Sequence, residues 1–143
     1  VLTLVAPVLV ACGGPDEQVD GALVVRGATV DLPVTDRQAV VRMVIDNRDG
    51  PDDRLVGASS PAAEEATIHE SMVDDLERSV MEERVGLAIP AGREVFFSPG
   101  SYHVMLQRLR QPLEVGDQVE VRLEFERAGT VVVVAAVTEL PTN

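Results

Sequence analysis

The sequence predicts an all-β fold, an antiparallel β-sandwich with Greek-key connections, and three features carry that prediction. Short runs of apolar residues alternate with polar ones, as in Val119, Val121, Leu123 and Phe125 against Glu120, Arg122, Glu124 and Glu126. Turn signals interrupt the runs every several residues: Asn47-Arg48-Asp49-Gly50-Pro51-Asp52, Ile89-Pro90-Ala91-Gly92, Ser98-Pro99-Gly100 and Gly116-Asp117. No segment sustains the period of an amphipathic helix. At 143 residues, with Trp absent and aromatics few, one domain is expected, its core built from Val, Leu, Ile and Ala.

Taken in order, residues 1–11 are apolar and uncharged, and too short to span a bilayer. They read as the h-region of a secretory signal whose initiator Met and basic n-region are missing. Leu9-Val10-Ala11-Cys12 resembles a bacterial lipobox, which makes residues 1–12 a truncated signal and lipobox segment and Cys12 the lipidation site. The other reading is an ordinary cleaved signal with an incidental cysteine. Residues 13–21 hold Gly, Pro and acids with nothing to bury and read as a flexible tether; residues 22–140 read as the folded domain.

Within that domain the first strand is Leu23–Val30, ended by Asp31-Leu32-Pro33. Ala39–Asp46 is the second; Val41, Met43 and Ile45 share one face, so Met43 is a core residue. Leu55–Ser59 and Ala66–Glu70 follow, separated by Ser60-Pro61-Ala62-Ala63. Asp74–Arg78 reads as a hairpin tip with Ser79–Arg84 returning from it, although Asp74–Arg84 also suits a short helix. Glu94–Phe97, His103–Leu106, Val119–Phe125 and Thr130–Val137 complete the set.

The formal charge of -12 argues against nucleic acid as a partner, because a phosphate backbone would be repelled. Cys12 is the only cysteine, which excludes an intrachain disulfide, a CxxC redox pair and a multi-thiolate metal site. Catalytic motifs are missing as well: there is no Gly-x-Ser-x-Gly, no His-Glu-x-x-His and no phosphate-cradling Gly loop. The acidic pairs Glu64-Glu65, Asp74-Asp75 and Glu82-Glu83 are sequence neighbours that point to opposite faces of a strand, as on a solvated surface. The chain is not expected to be an enzyme.

The informative stretch is His69 to Met105. It contains both histidines and three of the four methionines, in the order His69, Met72, Met81, His103, Met105. His103 and Met105 are two residues apart in a predicted strand, so an imidazole and a thioether point to one face. That pairing, without a thiolate, suits soft Cu(I). Taken singly, each residue has a plainer account: His69 exposed at a strand end, Met81 in the core of the return strand, Met105 packed beside Leu106.

The spacing resembles that of the PCu(A)C family of bacterial extracytoplasmic copper chaperones (the DUF461 family). The family pattern is His, an optional Met, ten residues, Met, twenty-one residues and His-x-Met. Here His69 is followed by Glu70, then the ten residues Ser71–Val80 to Met81, then the twenty-one residues Glu82–Tyr102 to His103-Val104-Met105. Further landmarks match: Asp53–Ala62, Ile89-Pro90-Ala91-Gly92, Pro99–Met105, Pro112-Leu113, Gly116-Asp117 and Phe125–Thr130. The resemblance implies a cupredoxin-like sandwich that holds one Cu(I) through His69, Met81, His103 and Met105. Glu70 replaces the optional Met, leaving Met72 as an auxiliary candidate, and Leu140-Pro141-Thr142-Asn143 carries none of the His and Met some relatives use for Cu(II).

By the same resemblance residues 22–140 would be a copper-binding domain; the lipobox predicts an extracytoplasmic protein anchored to the bacterial cell membrane by lipid on Cys12, and a monomer is expected. Its partner would be a copper-acceptor protein, a cytochrome c oxidase subunit or another copper chaperone. Thioethers fit an oxidising compartment, since they form no disulfides. A blue-copper electron carrier would need a Cys thiolate, and Cys12 lies far from the other donors. The alternative from a different class is a metal-free secreted β-sandwich acting in adhesion or assembly.

Overall fold

The computed structural model describes residues 18–20, 23–32 and 35–139. They form eleven strands: β1 (Gln18–Asp20), β2 (Leu23–Asp31), β3 (Gln38–Asn47), β4 (Asp53–Ser59), β5 (Ala63–Val73), β6 (Ser79–Glu83), β7 (Leu87–Ile89), β8 (Arg93–Phe97), β9 (Tyr102–Leu109), β10 (Gln118–Phe125) and β11 (Gly129–Thr138). The hydrogen-bonded order is β6-β5-β9-β3-β2-β11-β10-β4-β7, with β1 added to β2 and β8 to β3. The architecture is all-β, as the alternating pattern predicts. Among the described residues every ladder is antiparallel but one: β11 runs parallel to β2, pairing Ala136 with Thr29 and Thr138 with Asp31. Strands this far apart in sequence meet through the whole intervening chain, so no hairpin fixes their relative direction.

Two further elements depart from the sequence reading. Gln18–Asp20, part of the expected tether, pairs antiparallel with Leu23–Val25. Leu87–Ile89 forms a three-residue strand against Asp53–Leu55, burying Leu87 and Ile89. The hairpin reading of residues 74–84 is the one observed. One carboxylate oxygen of Asp74 accepts the backbone N–H groups of Leu76 and Arg78, each at 2.9 Å, which closes a turn and leaves no helix start.

The core is aliphatic. Val25 and Val30, Val41 and Ile45, Val104 and Leu106, Val121 and Leu123, and Val131 and Val133 point inward from their strands. Met43 lies among them at 2% exposure, as its alternation requires. Asn47 is buried at the end of β3, and its amide donates to the carbonyls of Pro51, Ile89 and Pro90 at 2.7, 3.2 and 3.2 Å. It thereby ties the turn between β3 and β4 to the turn between β7 and β8. The side chains that alternate with the core set on β9, β5 and β3 face the other way. That outer face carries the candidate site.

Candidate metal centre

The register of three neighbouring strands brings the predicted donors onto one face. His69 on β5 stands directly opposite His103 on β9, and Thr67 opposite Met105. On the other side of β5, Ser71 stands opposite Met81 of β6. Because side chains alternate, Thr67, His69 and Ser71 share a face with their partners His103, Met105 and Met81. Ile68, Val104 and Leu106 occupy the opposite face, in the core. The turn before β9 holds this arrangement: Gly100 takes a left-handed φ of 78°, Ser101 N–H bonds the Ser98 carbonyl, and Ser71 N–H bonds the Ser101 carbonyl at 3.0 Å.

The plainer accounts of His69 and Met81 do not describe what is seen. Met81 is not core, being 59% exposed on the edge strand. Met105 is buried, on the face of β9 opposite that of its neighbours Val104 and Leu106. His69 is half-buried at mid-strand. Met72 falls on the face opposite His69, and its Sδ lies 3.5 Å from the Arg84 guanidinium. Arg84 is in turn paired with Glu70 at 2.6 Å. Met72 is therefore not brought to the other donors. Cys12 lies outside the described residues.

The two imidazoles define the chemistry. Their ring centroids are 5.6 Å apart with the planes tilted by 37°. His69 Nδ1 and His103 Nε2 are both buried and have no hydrogen-bond partner. Buried polar atoms are nearly always paired, so two orphans on adjacent rings mark a place where something else supplies the partner. A buried nitrogen without a partner is better tolerated as a lone pair than as an N–H, which places the ring proton of His103 on Nδ1 and leaves the Nε2 lone pair free. Burial above all, then the charge of His69, pushes the pKa of His103 below the ordinary value, with Arg42 adding to the shift and the Ser101 backbone opposing it. Arg42 is anchored by Asp31, Nε to Oδ2 at 2.7 Å. The ring of His103 is thus kept neutral, as a metal ligand must be.

Among the described residues no three His, Cys, Asp or Glu side chains converge. A carboxylate cage for Ca²⁺ or Mg²⁺ is absent there, and the donors on this face are nitrogen and thioether sulfur. The sequence reading missed Thr67 and Gln107. Thr67 Oγ1 lies 2.8 Å from His69 Nε2, and Gln107 Nε2 donates to the same oxygen at 3.1 Å. Both are two positions from a predicted donor on its own strand. That same-face spacing is the signal that finds them.

The chain belongs to the LpqE-like family, described as "Putative lipoprotein LpqE-like", whose model matches residues 23–137. The lipoprotein description of the family and of its Leifsonia relative supports an extracytoplasmic, membrane-anchored localisation. "Putative lipoprotein Lxx21020" of Leifsonia xyli subsp. xyli (strain CTCB07) is 37% identical over 76 residues, 53% of this chain. That stretch spans 46% of the relative. The fold matches PCuAC domains of known structure. The copper-bound PCuAC domain from PmoF2 superposes with a TM-score of 0.72 at 26% identity, covering 87% of this chain and 98% of that one. The Cu(I)-bound solution structure of DR1885 from Deinococcus radiodurans gives 0.60 at 30% identity, covering 78% of this chain and 75% of that one. The chain is a cupredoxin-like β-sandwich of the PCuAC kind.

Proposed function

We propose that this protein is a copper chaperone. It binds one Cu(I) through His69, Met81, His103 and Met105 and passes it to a copper-acceptor protein, such as a cytochrome c oxidase subunit during assembly of its copper site or a second chaperone. The observation that carries the reading is the pair of buried, unpartnered imidazole nitrogens on cross-strand neighbours. Two similar structures, one copper-bound and one Cu(I)-bound, agree with it. A metal-free module would gain nothing from two stranded ring nitrogens, each costing about 1–3 kcal/mol of unrecovered desolvation. Soft donors that are neutral and cannot be oxidised to a disulfide suit Cu(I) outside the cytoplasm. Copper is cargo here: thioether ligands bind it and exchange without a proton having to be moved.

The test is a competition titration of the purified domain against a chromophoric Cu(I) chelator. One equivalent per chain is expected. A Met81→Ala, Met105→Ala double variant should lose that binding; wild-type affinity in the double variant would overturn the ligand assignment. Lipid attachment at Cys12 completes the proposal. The six peptide steps from Cys12 to Gln18 reach at most about 20 Å, which would hold the copper domain close to the membrane face.

A further inference from the structure

We propose that Thr67, itself positioned by Gln107, fixes His69 as the Nε2–H tautomer, so that His69 offers Nδ1 to the metal while His103 offers Nε2. This rests on the copper reading and adds to it which nitrogen each ring uses and which residues decide.

Thr67 and His69 are two apart on β5, on the same face, and the hydroxyl lies 2.8 Å from His69 Nε2. A neutral imidazole carries its proton on one nitrogen only, and the partner of the other nitrogen selects which. With the proton on Nδ1, a buried N–H is left with no acceptor, because nothing in hydrogen-bond reach faces it. Orphaned buried N–H groups are rarer than under-satisfied acceptors. With the proton on Nε2, the N–H donates to Thr67 Oγ1 and only a lone pair is stranded, on Nδ1. A lone pair is what a metal takes. A threonine hydroxyl has two acceptor sites, so Oγ1 accommodates His69 Nε2–H together with the Gln107 amide, which donates at 3.1 Å.

Gln107 has its own reason to be there. It lies on β9, two residues beyond Met105 and paired with Glu65, one face position along from the Met105–Thr67 pair. Its amide holds the Thr67 side chain in the rotamer that turns the hydroxyl toward His69. The arrangement is asymmetric: among the described residues the side-chain relay stands behind His69, and such a relay is open to removal by substitution. Such supporting hydrogen bonds orient a metal-binding histidine, and their loss typically costs about 10–100-fold in metal affinity.

The experiment reads the tautomers directly. Long-range ¹H–¹⁵N correlation spectra of the apo domain near neutral pH should report Nε2–H for His69 and Nδ1–H for His103. Thr67→Val keeps the shape of the side chain and removes the hydroxyl. It should leave His69 in a mixture of tautomers and His103 unchanged, and should weaken Cu(I) by about 10–100-fold. Thr67→Ser should restore both. A wild-type His69 in the Nδ1–H form, or an unaltered tautomer in Thr67→Val, would overturn the proposal. Because the spectra are taken without metal, a wild-type protein that bound no Cu(I) would sink the copper reading alone. Should Thr67→Val fail to fold, Gln107→Leu removes the outer link with the hydroxyl in place, and an unchanged His69 tautomer population there would equally count against the relay.

Discussion

Two methionines of nearly opposite environment allow a crossed test of the site. Met81 is 59% exposed on an edge strand, and Met43 is 2% exposed in the core. Met81→Leu replaces an exposed side chain by one of similar size, a change that alters stability by no more than about 0.5 kcal/mol. Met43→Leu conserves volume but has to repack a dense interior, costing up to about 1.5 kcal/mol. For copper the order reverses: Met81→Leu removes a ligand and should lose at least about tenfold in Cu(I) affinity, roughly 1.4 kcal/mol, while Met43→Leu removes none. Met72→Leu should resemble Met43→Leu in copper binding, since Met72 lies on the far face against Arg84. Urea unfolding supplies the stability arm; with a slope of about 1–3 kcal/mol/M, a 1 kcal/mol loss moves the midpoint by roughly 0.3–1 M. Chelator competition supplies the other arm. Equal copper affinity in Met81→Leu and Met43→Leu would refute the assignment of Met81, whatever the stabilities.

Acid should destabilise the apo domain through His103. Its folded pKa is depressed, so the unfolded chain binds more protons as pH falls below about 6.5, and stability declines from there through the folded value. Urea midpoints compared at mildly alkaline and mildly acidic pH should diverge less in His103→Gln than in the wild type, and equal divergence would argue against it. Cu(I) affinity should fall with acidification as well, with the contribution of His103 delayed to lower pH than an ordinary imidazole would show. Cys12→Ser should release the protein from the membrane fraction without altering Cu(I) affinity in the purified domain, which fractionation and the same titration would show.

Much of this was legible in the sequence, for reasons that differ by element. The long strands announce themselves because each buries one face: Val119, Val121, Leu123 and Phe125 are all buried, as their alternation requires. The short strands do not. Leu87–Ile89 offers only three residues between Gly86 and Pro90, and Gln18–Asp20 has a single apolar residue. The site was legible as a set of residue types at a spacing, not as a geometry. That His69 stands across from His103 depends on the β5–β9 register, fixed by core residues such as Ile68 and Val104 many positions apart in the chain. Thr67 and Gln107 escaped notice because a polar residue on a half-buried strand looks like any solvent-facing position until its partner across the ladder is known.

The placement of the donors bears on what the site does with its cargo. Exposure rises across the face from His103 at 4% and Met105 at 9% to Met81 at 59% on the edge strand. On the proposed reading, an incoming acceptor ligand meets the metal first on the Met81 side, where a neutral thioether is displaced at little cost, while the imidazoles hold the ion until exchange is complete. On the same proposed reading, the surroundings weigh on the oxidation state. Two neutral imidazoles and two thioethers contribute no charge, so bound Cu(I) leaves one net positive charge and Cu(II) two. Burial and the Arg42 guanidinium already disfavour a proton on His103. Whatever opposes one added positive charge at that ring opposes two more strongly. The environment that keeps His103 free to bind therefore also weighs against Cu(II), independently of the softness of the sulfur donors.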